Sequence, residues 1–215
     1  MSDNDAIIEV IGTAFGKNEY PGDDFLQGSV EGCEPFQEIG PFKGKADWRG
    51  IEPGFLDAHA EALSFFSQAG FRFFLPAYLI ADLDGQLKVA NPLFHLTYGF
   101  SDTNVRIPTR AGDTLVWNGK SQFVNPRRYG ATTFYDYSRY RLSAFTREEA
   151  RAIVGYLEYK SDSDPNDFEK GCVDAALQSY WLERAQTAPW AESLEQHLKN
   201  QAEFLAATTQ AREGQ

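Results

Sequence analysis

The segment from Gln68 to Gly85, QAGFRFFLPAYLIADLDG, constrains the fold more than any other. At helical spacing its apolar residues fall on nearly every side, so a helix here belongs in the middle of a core with other elements wrapped around it. Ser67 is placed to cap its start and Gly85 to end it. Pro76 should kink or restart the helix, because proline removes an N–H and crowds the preceding turn. The most apolar stretch, GFRFFLPAYLIA, contains an arginine and a proline and is too short to cross a bilayer. It reads as a buried element, with no membrane partner.

A core around such a helix needs enough apolar material. In 215 residues the hydrophobic fraction is 42% and the aromatic fraction 14%, sufficient for one well-filled domain over residues 1–215. The polar residues 207–215 read as a frayed tail. Cys33 and Cys172 lie too far apart for a disulfide framework or a zinc motif, which fits a reducing cytoplasm. The acidic start, MSDNDAIIEV, has no basic segment leading into an apolar run and so shows no secretory signal. The expected location is cytoplasmic.

Ile7, Ile8, Ile11, Ala14 and Phe15 predict a first amphipathic helix, with Asp3 or Asn4 as cap and Gly16 as stop. Residues 17–53, rich in glycine and proline, read as a long loop with at most a short strand. A second helix is expected from Pro53, with Phe55, His59, Leu63 and Phe66 on one stripe. From Leu87 to Phe145 the texture turns β-like. FHLTYGF alternates, Asn118-Gly119 sits between two apolar runs as a hairpin signal, and ATTFYDYSRYRLSAF offers one or two further strands. Thr146 to Glu149 forms a capping box for a helix over the following residues. Asp164-Pro165 opens another, with Val173, Leu177, Tyr180 and Trp181 buried. Pro189 opens a last one with Trp190, Leu194, Leu198 and Leu205. The expected class is therefore α+β, with helical N- and C-terminal parts packed around a central antiparallel meander of three to five strands.

Several of these segments resemble parts of a bacterial protein family of unknown function. They are YPGDD (Tyr20–Asp24), FKGKADW (Phe42–Trp48), LSFFSQAGFRFFLPAYLIADL (Leu63–Leu83), AFTREEARAIVGYLEY (Ala144–Tyr159) and ALQSYW (Ala176–Trp181). FRFFLPAYL is the most specific, and the stretch from about Asn91 to Arg139 looks expanded relative to the family. The resemblance implies a small soluble bacterial domain and brings neither an activity nor catalytic residues.

The formal net charge is −11, which argues against nucleic-acid binding and is compatible with a basic protein partner. The charge is uneven. Phe100 to Arg141 holds seven Lys/Arg against three Asp, a local +4 that leaves −15 for the rest. This basic stretch either pairs with the protein's own acidic helices or forms an anion or partner site. Arg127, Arg128 and Tyr129, and Arg139, Tyr140 and Arg141, place guanidinium groups beside aromatics, a combination suited to anions or stacking. In a strand, Arg139 and Arg141 would share a face.

Carboxylates of the loop after the first helix, Asp23 and Asp24 with Glu31, Glu34 and Glu38, could gather round a hard cation, but their spacing is not that of a calcium loop. YPGDD reads better as a type II turn, with Pro21 and Gly22 at its centre, than as a partner contact or a metal site. No metal and no cofactor is therefore expected. Of the histidines, His59 reads as a hydrogen-bonded core residue and His197 has no partner at ligand spacing. His95, pointing off the core face of its strand, is the weak catalytic candidate, together with Asp23 and Asp24. No common catalytic motif is present. The leading reading is a non-enzymatic interaction protein, of the immunity or inhibitor type, with an acidic surface for a basic partner. The alternative is an enzyme or binding protein for a small phosphate- or carboxylate-bearing ligand held by the basic aromatic stretch. Nothing fixes an oligomeric state.

Overall fold

A computed structural model describes residues 3–29, 32–100, 104–108, 114–118, 134–163 and 167–196. Helix α1 (Asp3–Ala14) buries Ile11, and Phe15 just beyond it is buried as well, as the spacing predicts. Asn4 lies inside the helix and its amide Nδ2 donates to the carbonyl of Leu83 at 3.0 Å, tying α1 to the far end of the central helix. The expected long loop is instead built from short turns of helix. These are 3-10 turns at Asp23–Phe25, Gly40–Phe42 and Trp48–Gly50, and helix α2 (Glu34–Ile39). The single helix expected from Pro53 is two, α3 (Pro53–Ala58) and α4 (Ala62–Phe65), broken at His59.

Helix α5 (Gln68–Leu83) is the centre. Ser67 caps it through a hydrogen bond from the Gly70 N–H at 3.0 Å, and twelve of its sixteen residues are buried. It continues through Pro76 without a restart. It packs against α1, α3, α6 (Pro92–Thr97) and the Trp48–Gly50 turn. At its start, the Leu26 carbonyl accepts from the Ser67 N–H and the Phe65 carbonyl accepts from the Gly28 N–H, both at 2.7 Å. This lays residues 26–28 across the end of the helix. A Cβ on Gly70 would lie 2.7 Å from the Leu26 carbonyl oxygen, so this crossing requires glycine.

Among the described residues the central meander is not found, and the α+β class is corrected to a helical one. Phe94–Thr97 of FHLTYGF lie in α6, capped by Asn91, whose Oδ1 accepts from the Phe94 N–H at 2.9 Å, with Pro92 at the first helical position. FYDYSRYR forms α7 (Phe134–Arg141). Among the described residues, strand pairing of any length is confined to one antiparallel ribbon. In it Asn104–Pro108 (β1) faces Thr114–Asn118 (β2), from Asn104 opposite Asn118 to Pro108 opposite Thr114. The Asn118-Gly119 turn expected to join two strands extends outside the described residues. The core cluster is drawn from helices and the turns between them.

The last third follows the prediction more closely. Helix α8 (Arg147–Ser163) packs on α1, on α9 (Asp167–Ala176) and on α10 (Leu182–Thr187). Between α9 and α10 the chain widens into a π-helical segment, Leu177–Trp181, which turns both Tyr180 and Trp181 inward. The Trp181 indole N–H then reaches the Leu96 carbonyl at 2.9 Å. The expected start at Asp164-Pro165 lies outside the described residues, as do His197, Leu198, Leu205 and the tail 207–215. Residues 191–196 are helical and bury Leu194. Trp190 departs from the expected stripe, being 56% exposed beneath the Arg147 guanidinium. No described helix is long and apolar enough to cross a membrane.

Candidate functional site

A cleft of about 590 Å³ opens between the loop after α1, the first turns of α5 and the helical residues 191–196. Its size falls within the usual range for small-molecule sites, roughly 300–1,000 Å³. The crossing of residues 26–28 over the start of α5 brings Asn18, Tyr20 and Phe25 against Arg72 and Phe73.

Arg72 is the chemical centre. It is the one charged residue before Asp82 in an otherwise apolar helix, and its side chain is only 9% exposed. Its Nε donates to both carboxylate oxygens of Glu149, at 3.0 and 2.9 Å. Glu149, fully buried, is also the last residue of the capping box that opens α8. Its Oε2 accepts from the Thr146 N–H at 2.7 Å, while its own N–H donates to the Thr146 hydroxyl at 3.2 Å. A buried charge is costly unless paired and hydrogen-bonded, and this carboxylate meets both needs of Arg72. Both contacts use Nε. Among the described residues neither terminal nitrogen makes a hydrogen bond, and Arg72 lines the cleft. A guanidinium clamped at Nε with its far end open is a preset fork for a carboxylate or another planar acceptor.

The other walls support that role. The amide nitrogen of Asn18 is buried without a hydrogen-bond partner among the described residues. Tyr20 stands edge-on to Phe73 at 5.3 Å and is held from behind, its hydroxyl donating to Asp23 and accepting from the Gly44 N–H at 3.1 Å. Asp23 also takes the Gly44 N–H at 2.8 Å. Burial, with the Asp23 carboxylate next, pushes the Tyr20 hydroxyl up to about 12. The bonds from Tyr20 and Gly44 hold Asp23 below the ordinary carboxylate range. Three carboxylates, Glu19, Glu192 and Glu195, stand exposed at the mouth.

The expected candidates are dispersed. Asp23 fastens the loop to Gly44, and Asp24 is exposed. Gly22 has the positive φ expected of the turn, 93°, but a ψ of 151°, so the chain enters a 3-10 turn there and not a type II turn. His59 lies 3.6 Å from Glu38, an ion-pair distance and not the expected hydrogen bond. His95 and Arg141 do meet, with Tyr98 and Tyr137, in a second hollow of about 210 Å³, small for a ligand site. There Arg141 donates to the carbonyls of Leu63 and Ser64, capping the end of α4. Burial, and then the Arg141 charge, push His95 down to about 3, which leaves a neutral imidazole with little driving force for proton transfer near pH 7. Because Arg139 and Arg141 lie on a helix, two residues apart, they turn away from each other instead of sharing a strand face. Arg139 packs over the Tyr135 ring at 5.6 Å, and Tyr140 is half exposed. Arg127, Arg128 and Tyr129 lie outside the described residues. Among the described residues no three His, Cys, Asp or Glu side chains gather as metal ligands.

Sequence reasoning missed Arg72 and its partner. The available signal was a single cation in a helix apolar on all sides, which implies a buried counter-charge. No family model matches the chain, and no curated protein or solved structure matches it either, so the family resemblance rests on its motifs alone.

Proposed function

We propose that the protein is a non-catalytic binding domain whose cleft takes a small ligand by its carboxylate. The observation that carries this reading is the buried Arg72, fixed through Nε by Glu149 and open at its terminal nitrogens. The Asn18 amide would take a second polar atom of the ligand, and Tyr20, Phe25 and Phe73 would flank its apolar part. The alternative site on the basic stretch has less support, since Arg141 spends its terminal nitrogens on backbone carbonyls. The test is a melting-temperature screen of small carboxylates against the intact chain and against the paired Arg72→Met/Glu149→Leu variant. A ligand is expected to raise the melting temperature of the first only. If every carboxylate leaves both unchanged, or shifts both equally, the reading fails.

A second reading keeps a basic protein partner on the acidic surface, as immunity- or inhibitor-type proteins use. The three glutamates at the mouth and the net charge of −11 favour it. It predicts that Glu19→Gln/Glu192→Gln/Glu195→Gln releases a stoichiometric basic partner while the Arg72 pair variant retains it.

A further inference from the structure

The charges around the cleft do not suit a simple anion. Glu149 already neutralises Arg72, and Arg72 is the only cation lining the cleft among the described residues. Glu19, Glu192 and Glu195 then leave three negative charges at the mouth that no further cation of the described lining compensates. A ligand with a carboxylate alone would gain at the guanidinium and lose at the rim. A ligand with an amine alone would leave the buried fork unused. What satisfies both ends has a carboxylate to go inward, a cation to stay at the mouth, and an apolar stem between them for the aromatic walls.

We infer that the cleft binds a basic amino acid residue with a free carboxylate, either as the free amino acid or as the C-terminal residue of a peptide. This rests on the carboxylate reading above. The carboxylate sits on the terminal nitrogens of Arg72 and the side-chain cation among Glu192, Glu195 and Glu19. The methylene stem lies along the wall that Tyr20 and Phe73 form, their rings packed edge-on to each other. Lysine has ten non-hydrogen atoms, which need about 300 Å³ even at the roughly 30 Å³ that one water occupies in the liquid, so a cleft of about 590 Å³ also has room for a preceding residue.

The experiment is calorimetric titration of the intact chain with L-lysine, the dipeptide Ala-Lys, L-norleucine and cadaverine. Norleucine keeps the carboxylate and stem without the side-chain cation, and cadaverine keeps the stem and cations without the carboxylate. Lysine or Ala-Lys is expected to bind at least about tenfold tighter than norleucine and cadaverine, and the ratio of the two tells the free amino acid from the peptide end. In Glu192→Gln/Glu195→Gln, both exposed, lysine should lose about that factor while norleucine does not change. Norleucine binding as tightly as lysine overturns the inference and leaves the carboxylate reading standing. Cadaverine binding as tightly as lysine, unaffected in the Arg72→Met/Glu149→Leu variant, overturns both. No heat from any of the four overturns the inference, and the wider carboxylate screen then decides the reading beneath it.

Discussion

Removing one member of the Arg72–Glu149 pair should damage the fold far more than removing both. Glu149→Leu leaves a guanidinium with 9% of its side chain exposed facing no counter-charge, and it strips the acceptor from the Thr146 N–H. Breaking a buried pair typically costs about 3–5 kcal/mol, and a lost hydrogen bond adds about 1 kcal/mol. The expected loss is therefore about 4–6 kcal/mol. Arg72→Met, which strands the carboxylate instead, should lose about 3–5 kcal/mol. With both replaced by apolar residues of similar length, only the Thr146 N–H remains unmet, and the loss should fall to about 1–2 kcal/mol. The readout is urea unfolding followed by tryptophan fluorescence at neutral pH. At a slope near 2–3 kcal/mol per molar, Glu149→Leu should shift the midpoint by about 2 M. Salt should barely alter the difference, because the pair is shielded from solvent. If the two single losses simply add in the double variant, or each stays below about 1 kcal/mol, the pair is not the coupled unit described here.

Other contacts give independent checks. Asp57 accepts from the N–H groups of Lys88, Val89 and Ala90 at 2.8, 3.1 and 3.0 Å; burial opposes its ionisation, but these bonds hold it below its ordinary value of 3.8. Its contribution is therefore present above that value and lost as pH falls through the lower folded value. Asp57→Asn should flatten the acid limb of stability and speed hydrogen exchange at residues 88–90. Tyr156→Phe removes the 2.6 Å bond to Asp82 and should cost about 1 kcal/mol in the same urea assay; an unchanged midpoint would mean that Lys160, at 3.2 Å, suffices for Asp82. Gly70→Ala forces a methyl against the Leu26 carbonyl and should cost about 1–3 kcal/mol, whereas the same change at Gly54, with open space around it, should be close to neutral. Because the Tyr20 hydroxyl is raised from 10.0 to about 12, its bonds are present below pH 10 and lost as pH rises through 12, which phenolate absorbance should detect as a late-titrating step that is missing in Tyr20→Phe.

The parts of the fold written in local sequence were readable, and the misreadings have identifiable causes. Helix α5 announced itself because no side of it can face water, and the capping box at Thr146–Glu149 is a contact within four residues. α6 misled because Phe94 and Tyr98 are 49% and 41% exposed. With Leu96 and Phe100 they put an apolar residue at every second position and His95 and Thr97 between, which imitates a strand, and the better signal was Asn91-Pro92 just before them. α7 misled through its tyrosines, whose strand preference reflects packing context more than backbone. Tyr135 and Arg139, four apart and in contact, were the helical hint. The cleft was not legible because its parts come from residues 18–25, 69–73 and 192–196, with a counter-ion at Glu149. No local pattern joins positions so far apart.

That separation orders events in time. Two walls of the cleft are available once α5 has packed, but the third arrives only with Glu192–Gln196. Contacts across such long stretches of chain form late in folding, since the intervening loop entropy must be overcome first. A nascent chain emptied onto the ribosome surface as far as Trp190 would carry the fork at Arg72 without a vessel around it. Ligand capture then marks the moment when the two ends of the described chain have met.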